Sequence, residues 1–290
     1  MQQHEGHLHA SLSYIATLPT SKLTEGKARK LFNVISYNTK MKNTPNFYTL
    51  IIGTEILNRR RKDAHFEFVT KALASKGDKL TGSFIIEDDP ALIIQTMKFI
   101  TSQPNAVLFS FGGIGSTPDD HTRLCVAKAL GDGELYTHKE AKKIIEDKLG
   151  ADAYPHPIVM AELPKEADLL HNPVNKMPAF SLHERYFFMP GFPQMSHPMV
   201  EEILKKLIPH KKETYRHTLT AQCKENVFIE VMQQMPKEVE YSSLPKLLDD
   251  TWQVSISVAC EDKLLAKEAF SLYTQLLDAK NIDYTLTDEA

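Results

Sequence analysis

Cysteine, basic charge and long apolar runs are all scarce in this sequence. The three cysteines lie far apart without a Cys-x-x-Cys pair, so at least one stays unpaired in any intramolecular scheme, which favours a reducing compartment. The longest apolar runs, such as Ala106–Phe111, are much too short to span a bilayer. With 34 basic against 37 acidic residues, the chain has no net positive field to attract nucleic acid or anionic lipid. We therefore expect a cytoplasmic protein that binds neither nucleic acid nor a membrane.

The composition is that of a globular chain with more than one domain. Of the 290 residues, 42% are hydrophobic and 24% are charged. Residues 1–45 are unusually basic and are interpreted as an N-terminal extension, with a predicted helix from Thr24 to Tyr37 and Met41 as an alternative start. We expect one domain over residues 46–210 and a smaller one over residues 211–290.

Strands and helices alternate after residue 46. Buried strands are predicted at Phe47–Ile52, Ser83–Ile86 and Ala106–Phe111. Asp63 and the pair Asp89-Pro90 are typical helix starts after the first two strands. Apolar residues recur at helical spacing in the helices that follow the three strands: Phe66, Val69, Leu73; Leu92, Ile93, Met97, Ile100; Leu124, Val126, Ala127, Leu130. This alternation predicts an α/β fold with a mostly parallel sheet covered on both faces.

The second half of the chain carries fewer such signals. A helix is predicted over Lys139–Leu149, then a hairpin over residues 179–189 that turns at His183-Glu184, then a helix through Met199 to Leu204. Residues 207–212 suit a linker. A small α+β domain follows, with predicted strands and one helix: strands Asn226–Val231, Val254–Val258 and near Tyr284, helix Lys263–Ala279.

A glycine-rich turn follows the third strand. Gly112, Gly113 and Gly115 let backbone amides approach a ligand closely, and Ser116 continues the turn. Thr117 as N-cap and Pro118 as first helical residue would aim a helix N-terminus at the same place, which favours phosphate. An ordinary strand-to-helix turn is the alternative interpretation.

Two carboxylates come directly after this turn. Asp119 and Asp120 could simply complement a helix dipole, or they could hold a hard cation such as Mg²⁺ beside a bound phosphate. Ligands collect at the carboxyl ends of parallel strands, so the residues that follow the first strand, Gly53, Thr54 and Glu55, should join this site. The basic run Arg59–Lys62 and His121 are interpreted as solvated surface.

Several separated segments resemble one family, the molybdopterin-binding fold of molybdenum-cofactor biosynthesis proteins and CinA-like (competence/damage-inducible) proteins. Residues 50–57 resemble the family's opening Gly-Asp-Glu-Ile-Leu, and residues 111–123 resemble Thr-Gly-Gly-Leu-Gly-Pro-Thr-Pro-Asp-Asp-Leu-Thr-Arg. Asn172-Pro173 and residues 189–195 resemble segments of the CinA-like branch. The match runs from about residue 46 to residue 209.

The resemblance implies a three-layer, mostly parallel sheet that binds the phosphate of a nucleotide or pterin. It implies ligand contacts at twelve positions: Gly53, Thr54, Glu55, Gly112, Gly113, Gly115, Ser116, Thr117, Asp119, Asp120, Asn172 and Gly191. Asp119 and Asp120 would hold a divalent cation, Mg²⁺ or Co²⁺, with K⁺ as a further cation, and a homo-oligomer fits the family habit. The chain departs from the family pattern at Thr54, where Asp or Asn is usual, at Arg59, where Gly is usual, and in residues 175–179.

Three functions follow from this resemblance. The first is metal-dependent hydrolysis of the pyrophosphate bond in ADP-ribose or FAD, with Asp119, Asp120 and Glu55 as catalytic residues. The second is molybdopterin binding or adenylyl transfer in molybdenum-cofactor biosynthesis. The third is a non-catalytic nucleotide sensor, motivated by Thr54 and the altered segment 175–179.

Overall fold

A computed structural model describes residues 44–248 and 250–287. The helix predicted at residues 24–37 and the alternative start at Met41 lie outside these residues. The described residues fall into two compact units, one of residues 44–58, Thr81–Leu170 and Met177–Gly191, and the other of Arg59–Leu80, His171–Lys176 and the chain from Phe192 onward. The boundary expected at residue 210 stays a prediction.

Twelve strands and eight α-helices are formed within the described residues. The strands are β1 Asn46–Ile52, β2 Leu80–Ile86, β3 Ala106–Phe111, β4 Leu135–Thr137, β5 Glu162–Pro164, β6 Asp168–Leu170, β7 Ala179–Leu182, β8 Tyr186–Met189, β9 Tyr215–Ala221, β10 Glu240–Leu248, β11 Thr251–Cys260 and β12 Tyr284–Thr287. The helices are α1 Thr54–Leu57, α2 His65–Ala74, α3 Pro90–Thr101, α4 Thr122–Leu130, α5 Lys139–Leu149, α6 Pro193–Leu207, α7 Ile229–Gln233 and α8 Lys263–Ala279. No helix in this part of the chain combines the length and the apolar character needed to cross a membrane.

The first unit is built on a six-stranded sheet in the order β2-β1-β3-β8-β7-β6. β3 pairs parallel with both β1 and β8, whereas β7 pairs antiparallel with β8 and β6. Every residue of β3 and β8 is buried, as expected of strands in the middle of a covered sheet. The predicted α/β class and the mostly parallel sheet are confirmed.

Helix starts follow the capping signals in the sequence. The Asp89 side chain accepts a hydrogen bond from the Leu92 amide at 2.7 Å, and the Asp63 carboxylate accepts one from the His65 amide at 2.9 Å. The predicted apolar stripes are confirmed only in part. Three residues placed on them are exposed instead: Phe66 (48%), Leu92 (38%) and Leu124 (41%). Helical spacing alone does not show which apolar residues of a helix other elements cover.

The predicted hairpin is present, with β7 and β8 joined after Leu182. His183 and Glu184 at its turn have φ angles of 54° and 55°. This left-handed conformation lets a short turn follow the twist of the two strands, but it strains residues that carry a Cβ atom.

Glu184→Gly should therefore raise the free energy of unfolding by up to about 1 kcal/mol, because glycine adopts positive φ without a steric penalty. Urea titration measures the change. The same replacement at Glu202, an exposed residue within helix α6, should lower stability by about 1 kcal/mol. Equal effects at both sites would contradict the strained turn.

The second unit contains a four-stranded antiparallel sheet in the order β10-β11-β9-β12. Helix α8 packs on β9 and β11 and buries Tyr273 against Phe228 with ring centroids 5.6 Å apart. Asp262 caps this helix by accepting hydrogen bonds from the Leu264 and Leu265 amides. The predicted helix Lys263–Ala279 and the C-terminal α+β segment are confirmed.

Two features of this unit differ from the prediction. The strand expected at Asn226–Val231 is wrong, because the chain forms a 3₁₀ turn over Glu225–Phe228 and then α7, burying Phe228 and Val231 three residues apart as a helix does. The predicted linker is fixed to the turn after α2, where the Lys212 ammonium lies 2.5 Å from the Asp78 carboxylate. Strands β9 and β10 were not predicted.

Candidate functional site

The glycine loop begins where the ends of three strands approach one another closely. The Gly112 amide donates a hydrogen bond to the Met189 carbonyl at 3.0 Å. Gly112 has a φ of 101°, and a Cβ atom there would lie 2.4 Å from the Ile52 carbonyl oxygen. A Cβ atom on Gly191 would lie 3.3 Å from the Gly112 Cα atom. Only glycine at position 112 allows this contact between the ends of β1, β3 and β8.

The next glycine packs against the start of helix α4. The Thr122 amide donates to the Gly113 carbonyl, and the Thr122 hydroxyl donates to the Gly112 carbonyl, both at 2.9 Å. A Cβ atom on Gly113 would lie 2.3 Å from the Thr122 hydroxyl oxygen, and its φ is 68°. Thr122 therefore fixes the path by which the chain leaves β3.

Gly113→Ala should lower the free energy of unfolding by more than about 1–2 kcal/mol, which is the cost of a positive φ for alanine. The loss should exceed that cost because the alanine methyl group would also displace Thr122. Gly133→Ala is the matched control, because Gly133 has a φ of 92° but an added Cβ would meet only Lys128 Cγ at 4.0 Å. Urea unfolding of both variants compares the costs. A smaller loss at Gly113 than at Gly133 would contradict the packing described.

The two carboxylates do not lie in the first turn of a helix, which corrects the prediction. Helix α4 begins at Thr122, so Thr117 is not its N-cap and Pro118 is not its first residue. Instead the Asp120 carboxylate accepts hydrogen bonds from the Thr117 amide at 2.8 Å and from the Thr117 hydroxyl at 2.6 Å. Pro118 has no amide hydrogen and so needs no acceptor in this turn. The bonds from Thr117 to the Asp120 side chain form in place of an earlier start of the helix.

Asp119 is exposed beside this turn. A hydrogen bond from Thr117 lowers the pKa of Asp119, and the backbone of the turn and nearby His121 act in the same direction. Its carboxylate is therefore ionised at neutral pH, which suits a cation ligand better than a general base.

Four consecutive amides of the loop, those of residues 113–116, are open in the sense that no group of the described residues accepts a hydrogen bond from them. Successive amides that follow residues with positive φ form a concave donor surface for an anion. The loop thus offers the donors predicted for phosphate through its own backbone rather than through the helix N-terminus.

A buried arginine, missed as a site residue by the sequence analysis, holds this loop in place. Arg123 is 7% exposed and donates from Nη2 to the Gly115 carbonyl at 2.8 Å. Its Nη1 donates to the Val159 carbonyl and to the Glu162 carbonyl, the latter at 3.3 Å. Burial lowers the pKa of Arg123, opposed by the negative charges of Asp120 and Glu162. The guanidinium connects the loop to the segment before β5.

Arg123→Ala should cost about 2–4 kcal/mol of unfolding free energy, because three carbonyls lose the charged donor that a buried side chain supplies. Lys128→Ala, an exposed cation on the same helix, should change stability by less than about 0.5 kcal/mol. Thermal and urea unfolding report both. A similarly small effect at Arg123 would show that the loop does not depend on it.

The end of β1 places Thr54 against a carboxylate that the sequence analysis did not select. The Gly53 amide donates to the Ile86 carbonyl at 3.0 Å. Asp88, just after β2, accepts hydrogen bonds from the Thr54 amide at 2.8 Å and from the Thr54 hydroxyl at 2.9 Å. Asp88 thus places a carboxylate against Thr54, which stands where the family pattern has Asp or Asn. Glu55 follows in the short helix α1 and is partly exposed.

Asn172 belongs to the second unit and is 1% exposed. Its side-chain oxygen accepts a hydrogen bond from the Val174 amide at 3.1 Å, and its Nδ2 donates to Asn175 Oδ1 at 2.7 Å. The amide therefore shapes its own loop, and a ligand contact at Asn172 stays a prediction. Arg59 has a φ of 61°, which explains why glycine is the favourable residue at that position.

Asp119 and Asp120 fit a cation site in which the protein supplies only one or two carboxylates. Among the described residues, no three His, Cys, Asp or Glu side chains come together as a metal-binding group. Mg²⁺ commonly uses one or two carboxylates, with substrate phosphates and water as its other ligands. Asp119 and Asp120 beside the open amides match that arrangement.

Known proteins with similar sequence align with about half to two thirds of the chain. A CinA-like protein of Sulfurihydrogenibium sp. is 24% identical over 207 residues, which are 69% of this chain and 52% of the relative. A CinA-like protein of Syntrophus aciditrophicus is 30% identical over 53% of this chain and 37% of the relative. The chain thus spans about half, or less, of the length of these curated relatives.

A solved structure and a family model each match more than half of the chain. The crystal structure of the protein CinA from Thermoplasma acidophilum, described as of unknown function, is 25% identical and superposes with a TM-score of 0.50 over 56% of this chain and 99% of that chain. The model described as "Probable molybdopterin binding domain" matches residues 48–210, more than half of the chain and including the whole glycine loop. The protein therefore belongs to the molybdopterin-binding domain family, and it is similar to the CinA-like members.

Proposed function

We propose that this protein hydrolyses the pyrophosphate bond of ADP-ribose or FAD with the help of a divalent cation. The observation that carries the proposal is the run of four open amides at residues 113–116, followed in the same loop by Asp119 and Asp120. Amides alone would suit any phosphate. Carboxylates at the same place would repel a phosphate unless a cation lies between them, which favours a metal-dependent reaction.

The chain's own residues would position the dinucleotide and the attacking water. The open amides would bind one phosphate, and the buried Arg123 would hold the loop rigid while they do so. Asp119 and Asp120 would hold Mg²⁺ or Co²⁺, which supplies charge neutralisation of the phosphates and a more acidic water. Glu55 would orient the water.

In the proposed reaction the water oxygen forms a bond to one phosphorus atom, and the bond from that phosphorus to the bridging oxygen breaks. The bridging oxygen leaves on the other phosphate. ADP-ribose would yield AMP and ribose 5-phosphate, and FAD would yield AMP and FMN. K⁺ would serve as a further cation that neutralises phosphate charge.

Molybdopterin binding is the second candidate, and the description of the matching family model favours it. A pterin phosphate would use the same open amides. A nucleotide sensor without turnover is the third candidate, motivated by Thr54 and by the altered segment 175–179.

The direct test incubates the full chain with ADP-ribose, FAD or NAD, each with Mg²⁺ or Co²⁺, and separates the products by chromatography. We expect AMP from ADP-ribose or FAD, loss of activity with a chelator, and at least about a hundredfold lower rate for Asp119→Asn, because the variant loses one cation ligand. Asp119 is the better target than Asp120, since Asp120 also holds the turn through Thr117.

Asp132→Asn is the matched control, an exposed aspartate of the same unit whose pKa is also lowered by local hydrogen bonds. It should retain full activity. Turnover that survives in Asp119→Asn would reject the proposed cation site. Tight binding of a pterin or nucleotide without product would reject hydrolysis and support the second or third candidate.

A further inference from the structure

Helix α1, which carries Glu55, is too short to be stable by itself. It has four residues, Thr54–Leu57, and Gly53 at its N-cap position has no side chain that could accept a capping hydrogen bond. Forming one helical turn fixes several backbone angles in return for few hydrogen bonds, so a helix of this length depends on contacts with other elements. The place of the Glu55 carboxylate therefore depends on the residues that anchor this turn.

Asp88 provides such an anchor from the segment after β2. Its Oδ2 accepts hydrogen bonds from the Thr54 amide at 2.8 Å and from the Thr54 hydroxyl at 2.9 Å. The Asp88 amide in turn donates to the Thr54 hydroxyl oxygen at 3.2 Å. Thr54 thus donates and accepts through one hydroxyl, whereas an ionised carboxylate at position 54 could only accept. Hydrogen bonds to a charged acceptor are stronger than those between neutral groups, so this pair holds the first residue of α1 firmly.

Gly53 leaves the space that the Glu55 carboxylate occupies. A Cβ atom on Gly53 would lie 2.9 Å from Glu55 Oε2 and 3.3 Å from Glu55 Oε1. The φ angle of Gly53 is 174°, an extended conformation that residues with a side chain also adopt. The backbone conformation therefore does not require glycine at this position. What a side chain at position 53 would disturb is the Glu55 carboxylate, which folds back over the end of β1.

The end of β1 also contacts the glycine loop. The Ile52 carbonyl oxygen lies 2.4 Å from the place where a Cβ atom of Gly112 would be. The Glu55 carboxylate and the first glycine of the loop thus contact the same two-residue segment, Ile52-Gly53. This places Glu55 near the start of the loop that offers its amides to a phosphate.

We propose that Asp88 and Thr54 are positioning residues that hold the Glu55 carboxylate over Gly53, where it orients the attacking water. This inference rests on the proposed hydrolysis. Asp88 has no contact with substrate in the proposed reaction and acts through Thr54 and Glu55. Position 54, where the family pattern has Asp or Asn, is therefore adapted in this chain to a carboxylate supplied by position 88.

The kinetic test compares single and double variants of the full chain with ADP-ribose or FAD. Asp88→Ala and Gly53→Ala should each lower kcat about ten- to hundredfold, because both displace the Glu55 carboxylate. KM should change little, since the open amides of the loop are unaltered. Glu55→Gln should lower kcat at least as much. The double variant Asp88→Ala/Glu55→Gln should be no slower than Glu55→Gln alone, because both changes act through one carboxylate.

Variants of Thr54 separate the hydrogen bonds from the shape of the side chain. Thr54→Val keeps the shape but loses the hydroxyl, so it should lower kcat towards the value of Asp88→Ala. Thr54→Ser keeps the hydroxyl and should lower kcat less than Thr54→Val. Glu87→Ala is the matched control, an exposed carboxylate beside Asp88, and it should leave kcat unchanged. Urea unfolding verifies that every variant is folded under the assay conditions.

Hydrogen exchange tests the anchor without any turnover. The Ile56 and Asn58 amides donate within α1, to the Gly53 and Thr54 carbonyls. In Asp88→Ala these amides and that of Thr54 should exchange faster, whereas Glu87→Ala should leave their exchange unchanged.

Unchanged exchange in Asp88→Ala would overturn the proposal, because α1 would not depend on Asp88. Losses of kcat that multiply in the double variant would also overturn it, since Asp88 would then act independently of Glu55. A native chain without turnover would reject the proposed hydrolysis and with it the orientation of water by Glu55. The exchange result would then decide by itself whether Asp88 holds α1.

Discussion

The close approach of three strand ends at Gly112 is the constraint on which the site depends. The Ile52 carbonyl occupies the space where a side chain at position 112 would begin, and the backbone of Gly191 closes the other side. Because of this contact, the chain leaves β3 with positive φ at Gly112 and Gly113. The conformation of the loop is thus a consequence of how tightly the three strand ends pack.

The conformation of the loop is fixed by three side chains. Thr122 fixes the first two glycines, Arg123 fixes the Gly115 carbonyl, and Asp120 fixes the turn at Thr117. Preorganised donors of this kind are worth more than flexible ones, since no reorganisation is needed when charge arrives. The arrangement also separates the two carboxylates by role, because Asp120 bonds within the loop while Asp119 is exposed.

Substitution of a family residue need not remove its chemical group from the site. At the end of β1, Thr54 stands where Asp or Asn is usual, yet its amide and hydroxyl both bond to the carboxylate of Asp88, just after β2. The negative charge is therefore retained near Glu55. A sensor without turnover, which Thr54 alone would suggest, gains no support from this geometry.

The sequence by itself determined the strands and helices around the glycine loop, because buried strands, capping aspartates and glycines leave strong local signals. Their residues also identified the family. Only the tertiary structure decided the roles of Arg123 and Asp88, whose partners include residues more than 30 positions away along the chain. It also decided the start of helix α4, where a side-chain bond from Thr117 to Asp120 replaced the expected cap, and the presence of β10, whose exposed faces leave no alternation to detect. Capping and turn preferences depend on neighbouring residues, which can favour more than one local arrangement, whereas the contacts of Arg123 and Asp88 form only once distant segments have packed together.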